Sequence, residues 1–125
     1  FIVQALRGVD LTIYGDGKQT RSFCYVDDMV EGLMLMMNSS TGFSGPVNMG
    51  NPEEIRIGVL AEKIISLCNS SSRILYQHLP EDDPKRRCPD ITLASEKLNW
   101  RPNTTLIDGL IKTIDNYRSI LNENP

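Results

Sequence analysis

The side chains with chemistry to offer fall in three stretches. Thr12, Tyr14, Gln19 and Arg21 lie in LTIYGDGKQTRSFCYVDD, Asn48 in GPVNMG, and Arg86 and Arg87 in DDPKRRC. A guanidinium is planar and permanently charged, and it donates two parallel hydrogen bonds to a phosphate or carboxylate in a geometry lysine does not reproduce. Arg21 follows a turn-rich run with two glycines and precedes a short apolar stretch and a paired acid. Taken alone, it reads equally as one arm of a small anion site or as a surface partner of Asp27 or Asp28. The second arrangement contributes only about 0–1 kcal/mol. Asn48, near a strand end, can serve a ligand or satisfy its own turn.

Composition narrows what such residues could serve. The chain has 125 residues, 40% of them hydrophobic and 23% charged, with a net charge of −3. That balance suits one globular domain and argues against a general grip on nucleic acid, which needs a basic face. No apolar run approaches the roughly 20 residues a membrane span requires. The opening, FIVQALRG, has no basic leader and no methionine. Phe1, Ile2, Ala5 and Leu6 share a face at helical spacing, so residues 1–8 read as the remnant of a helix and the chain as a piece of a longer one. Cys24, Cys68 and Cys88 are odd in number and scattered, which favours a reducing compartment such as the cytoplasm. His78 is the only histidine and has no ligand-spaced companion, so no metal is expected.

Several chemistries have no residues to carry them. There is no G-x-G-x-x-G fingerprint, and GDGKQT is not a phosphate loop because its glycines stand too close together. No Ser-His-Asp set is present. No catalytic or cofactor-binding residue is assigned, and the chain alone is expected to be inactive.

The elements that must position these side chains alternate between helix and short strand. After Gly8, a C-cap, LTIYG reads as a strand, DGKQT as a loop and RSFCYV as a second strand. Asp27 is the expected N-cap of a helix starting near Asp28, with Met29, Val30, Leu33, Met36 and Met37 filling a core. PVNMG reads as a brief strand and NPEE as a turn. A helix over IGVLAEKIISLCN should then bury Val59, Leu60, Ile64 and Leu67. Gly58 weakens its first turn by about 1 kcal/mol relative to alanine. RILYQHL reads as a strand and PEDDPKRRCPD as a charged loop ordered by Asp82 and Asp83 pairing with Lys85 or an arginine. ITLASEKLN is a short helix capped by Asp90 or Thr92. The last helix, from TTLIDGL onward, carries Leu106, Leu110, Ile114 and Tyr117 on one stripe. The fold class is α/β.

Three stretches together resemble one family. LTIYGDGKQTRSFCYVDDMVEGL, GPVNMGNPEE and LPEDDPKRRCPDITLASEKLNWRP are similar, in order and spacing, to the C-terminal part of UDP-glucuronate decarboxylases. These are extended short-chain dehydrogenase/reductases, as are dTDP-glucose 4,6-dehydratases and UDP-galactose 4-epimerases. The resemblance runs from Phe1 to about Tyr117 and implies a single nucleotide-sugar-binding lobe over residues 1–125. The Rossmann half, with NAD and the catalytic tyrosine and lysine, would lie elsewhere. It implies oxidation of the sugar at C4, loss of CO2 and reduction to UDP-xylose by the full-length parent, a homodimer. The ligand would be a UDP-sugar, or a dTDP-sugar if the chain is a dehydratase.

The resemblance also assigns roles. Thr12 and Tyr14 would line the base, with Tyr14 packing between strand and helix as the alternative. Arg21 would reach the diphosphate, with Gln19 beside it and Asn48 at the mouth. From DDPKRRC, Arg87 matches the family arginine expected on the diphosphate. Arg86 and Cys88 stand where relatives carry other residues, which leaves open which arginine points inward. A stand-alone, non-catalytic nucleotide-sugar module and a purely structural lobe are the readings of other classes.

Overall fold

The computed structural model describes residues 1–79, 84 and 86–123. It is a mixed α/β arrangement of five helices and five short strands among those residues. The chain begins with helix α1 (Ile2–Leu6), ended by Gly8 in the left-handed region. Strand β1 (Leu11–Tyr14) follows and buries Leu11 and Ile13 while Thr12 and Tyr14 face outward. Strand β2 (Thr20–Ser22) then leads into helix α2 (Val26–Met37). Beyond a long loop come β3 (Glu54–Arg56), helix α3 (Ile57–Cys68) and β4 (Ile74–Gln77). The two-residue strand β5 (Arg86–Arg87), helix α4 (Thr92–Leu98) and helix α5 (Leu106–Glu123) complete it. Asn69 and Asn99 close α3 and α4 in the left-handed conformation asparagine tolerates.

Two small sheets result. In the first, β1 pairs in parallel with β4, Leu11 opposite Ile74 and Tyr14 opposite Gln77. In the second the order is β3-β2-β5, with β2 antiparallel to β3 and parallel to β5. The main core packs Ala5, Leu11, Ile13, Leu60, Ala61 and Ile64 between α1, the first sheet and α3. A second cluster gathers Ala94, Leu98 and the fully buried Trp100, with Met36, Val47 and Met49 against it. Trp100 donates its indole N–H to the Asp28 carbonyl at 2.9 Å. The buried Asp28 carboxylate accepts from the Thr104 backbone N–H and hydroxyl at 2.9 and 3.1 Å, tying α2 to the approach of α5.

Several expectations are corrected here. Helix α2 begins at Val26 with Tyr25 as N-cap, so Asp27 sits in the first turn instead of capping it. Its apolar stripe is mostly open: Val30, Leu33 and Met37 are 48, 52 and 85% exposed and Met29 is half-buried, while Met36 packs against the second cluster as expected. Helical periodicity reports that a face is apolar, not that anything covers it. The second strand stops at Ser22, PVNMG forms no strand, and the second acid of NPEE opens β3 instead of a turn. On α3, Val59 is exposed, Leu67 is half-buried, and Ala61 takes a core place. The charged loop contains β5. The expected pairings of Asp82, Asp83 and Lys85 lie outside the described residues. Among the described residues, no helix is long and apolar enough to cross a membrane.

Candidate functional site

The loop between β1 and β2 is strapped to the start of α3. Gly15 and Gly17 adopt positive φ of 80° and 72°, which glycine alone takes at little cost. The Gly17 carbonyl accepts from the Gly58 N–H, and the Gln19 carbonyl accepts from the Ile57 N–H, both at 3.0 Å. These loop carbonyls satisfy two of the N–H groups a helix leaves unpaired at its start. A Cβ on Gly17 would stand 3.3 Å from the Gly58 backbone. Gly58, a weak helix former, is therefore where the loop backbone touches the helix.

Backbone direction along β1 sets its outward edge. The N–H groups of Leu11 and Gly15 donate to Arg73 and Gln77, on the side of β4. Backbone groups alternate sides along a strand, so those of Thr12 and Tyr14 point away from β4. Tyr14 is 52% exposed and does not pack between strand and helix. Its carbonyl accepts from the Gln19 side-chain amide at 2.6 Å, which joins the strand to the loop ahead of β2.

The second sheet sorts the arginines. Thr20 stands opposite Arg86 and Arg21 opposite Arg87 across the parallel pair, and Arg21 stands opposite Ile55 on the other side. Side chains alternate faces, so Arg21 and Arg87 share one face while Thr20, Ser22, Glu54 and Arg86 share the other. On that second face the Glu54 carboxylate accepts from the Thr20 hydroxyl at 2.6 Å and from Arg86 Nε and Nη2 at 2.9 and 2.6 Å. The Arg86 guanidinium, with Thr20 adding to it, holds the Glu54 carboxyl below its ordinary range. Arg21 is half-buried and donates from Nη1 to the Thr20 carbonyl at 2.7 Å; Arg87 is exposed. Asp28, one partner considered for Arg21, is engaged with Thr104.

Among the expected site residues, Tyr14 with Gln19 and Arg21 with Arg87 are brought together in pairs. Arg86 is committed to Glu54. Asn48 is exposed in the loop before β3, with no hydrogen bond to the others among the described residues. Two cavities of about 480 and 540 Å³, one apolar beside Tyr25 and Leu110 and one polar beside Asn51 and Arg101, are lined by none of them. Glu54 and Thr20 were missed in the sequence. The available signal was an acid in a run that could pair as a strand with the stretch ahead of Arg21. No cluster able to hold a metal ion occurs among the described residues.

With this geometry in hand, the chain matches, over residues 1–50, the model of the NAD dependent epimerase/dehydratase family. It is similar, in sequence and in fold, to a part of proteins of that family. It is 44% identical over 125 residues to UDP-glucuronic acid decarboxylase 1 of Arabidopsis thaliana, covering 99% of this chain and 28% of that protein. To UDP-glucuronic acid decarboxylase 1 of Danio rerio it is 50% identical over 117 residues, covering 94% of this chain and 28% of that protein. Among solved structures, UDP-glucuronic acid 4-epimerase from Bacillus cereus, in complex with UDP-glucuronic acid and NAD, superposes with a TM-score of 0.88 at 30% identity. That match covers 95% of this chain and 38% of the epimerase. The chain therefore spans about a quarter to two-fifths of the length of these relatives.

Proposed function

We propose that this chain is the nucleotide-sugar-holding lobe of a UDP-glucuronate decarboxylase that makes UDP-xylose. The observation that carries the reading is the register of β2 against β5, which sets Arg21 beside Arg87. A UDP-sugar carries a diphosphate of about two negative charges, and two guanidiniums on one face suit it in charge and in planar geometry. The outward main-chain edge of Thr12 and Tyr14 offers a donor and acceptor pattern for an imide base. Gln19 fixes that edge relative to the arginines, and Arg86 stays with Glu54. The curated relatives above, at 44 and 50% identity, favour a decarboxylase over a 4-epimerase or a dehydratase.

Gly15 faces Leu79 and Gly17 is packed on Gly58, so neither opens its backbone to a pyrophosphate. NAD, which would supply hydride transfer in the parent enzyme, is assigned to residues outside this chain. The residues here bind and orient the substrate.

The test is a two-dimensional amide NMR titration of the chain with UDP, dTDP and NAD in turn. UDP should shift the amides of Thr12, Tyr14, Gln19, Arg21 and Arg87 and leave Arg86 nearly still. A stronger response to dTDP would move the reading to a dehydratase. A response to NAD at the same residues would overturn it.

A further inference from the structure

Glu54 faces away from Arg21 and Arg87, yet it sits where it can decide whether they stand together. Strand β5 is only two residues long. The pairing it makes sets Arg87 directly opposite Arg21. So short a ladder leaves side-chain ties a large share in fixing which way its residues face. Among the described residues the Ser22 hydroxyl of β2 donates to the Arg87 carbonyl at 3.2 Å, and two further ties, one on each side of Arg87, run to the β3 segment. The Glu54 carboxylate reaches over Thr20 of the middle strand and takes the Arg86 guanidinium through Nε and Nη2. The Cys88 thiol donates to the Pro52 carbonyl at 3.3 Å. Because alternate residues face alternate sides, fixing Arg86 and Cys88 on one face turns Arg87 to the other. A bidentate, charge-assisted contact is the stronger of the two ties.

We infer that Glu54 is a positioning residue for Arg87: by holding Arg86 on the far face of the sheet it presents Arg87 beside Arg21 for the diphosphate. The inference rests on the UDP-sugar reading only for the identity of the anion. It gives the adjacent arginines different duties, Arg86 as anchor and Arg87 as ligand.

The experiment compares the wild-type chain, Glu54→Gln, and the exchanged pair Glu54→Arg with Arg86→Glu, using UDP and uridine as probes. Glu54→Gln should weaken UDP binding by about tenfold, the scale of one lost charge-assisted bond. It should leave uridine binding unchanged, and the exchanged pair should recover UDP affinity. Unchanged UDP affinity in Glu54→Gln overturns the inference, as does an equal loss for UDP and uridine, which a merely structural role would produce. A ligand-free readout accompanies these: cross-strand proton contacts between residues 21 and 87, present in the wild type, should vanish in Glu54→Gln and return in the exchanged pair. Their persistence in Glu54→Gln overturns the inference. A wild-type chain that ignores UDP while these contacts follow Glu54 sinks the UDP-sugar reading and sustains the positioning of Arg87.

Discussion

Gly17 and Gly58 touch through their backbones, but the two positions tolerate change differently. Gly17 has φ of +72° and little space, so Gly17→Ala should destabilise by about 1 kcal/mol or more. A Cβ on Gly58 would meet the Gly17 carbonyl oxygen at 3.4 Å, an ordinary contact, inside a helix. Gly58→Ala should therefore stabilise by about 0.4–1 kcal/mol, read as a shift in urea midpoint at constant slope. Acid sensitivity belongs to the same scale. Hydrogen bonds from Arg86 and Thr20 hold the Glu54 carboxyl below its ordinary value of 4.5. Bonds from Arg73 lower Asp10, and bonds from Thr92 lower Asp90. The unfolded chain then takes up protons first as pH falls, so these groups contribute stability above the ordinary carboxylate range. That contribution is lost as pH drops from about 4.5 through their lowered values. Melting temperature followed from pH 6 to pH 2 should fall, and Glu54→Gln should flatten part of the decline.

At the scale of elements, α2 shows what periodicity can and cannot tell. The 3.6-residue pattern over residues 29–37 was legible, and so was the helix; its exposure was not, because burial depends on what packs there. The helix meets the body through Asp28, Met36 and Gly32, where a Cβ would lie 2.9 Å from Met49 Sδ and from the Trp100 ring. Gly32→Ala should cost about 1–3 kcal/mol by overpacking, visible as a lowered melting temperature, while Leu33→Ala on the exposed stripe should cost little. Strands β3 and β5 escaped the sequence for a related reason. A pair of arginines and the three residues Glu-Ile-Arg are too short for alternation to be read, and only pairing with β2 makes them strands. The β1 strand, by contrast, alternates buried and exposed residues and was read correctly. Arg21 stood out as a candidate in the sequence, whereas which of Arg86 and Arg87 stands opposite it needed the register.

For the whole molecule, the consequence of the exposed stripe is association. Val26, Val30, Leu33, Met34 and Met37 recur at helical spacing and are 48 to 85% exposed, a contiguous apolar surface larger than scattered singles. Sedimentation of the chain should show a molecular weight that rises with concentration. Met34→Glu together with Met37→Glu should abolish the rise without lowering the melting temperature. A wild-type chain that stays monomeric at all concentrations would contradict this. The α/β class and the family resemblance were legible because motif order survives without coordinates, whereas the faces taken by Glu54, Arg86 and Arg87 are a property of strand pairing.

The arginine pair also sets an order of events as the chain folds. Arg21 and Arg87 come from strands far apart in sequence, and β5 contributes only two residues to the sheet. The β1–β4 pair closes a loop of similar length but returns four paired residues and a buried core, whereas β5 returns only two. The β1–β4 pair and α3 can condense around Leu11, Ile13 and Ile64 without it. Substitutions in β5 should therefore speed unfolding and leave the folding rate nearly untouched, with φ-values close to zero. On the ribosome, the Arg21–Arg87 pairing would be the last of the strand contacts to form.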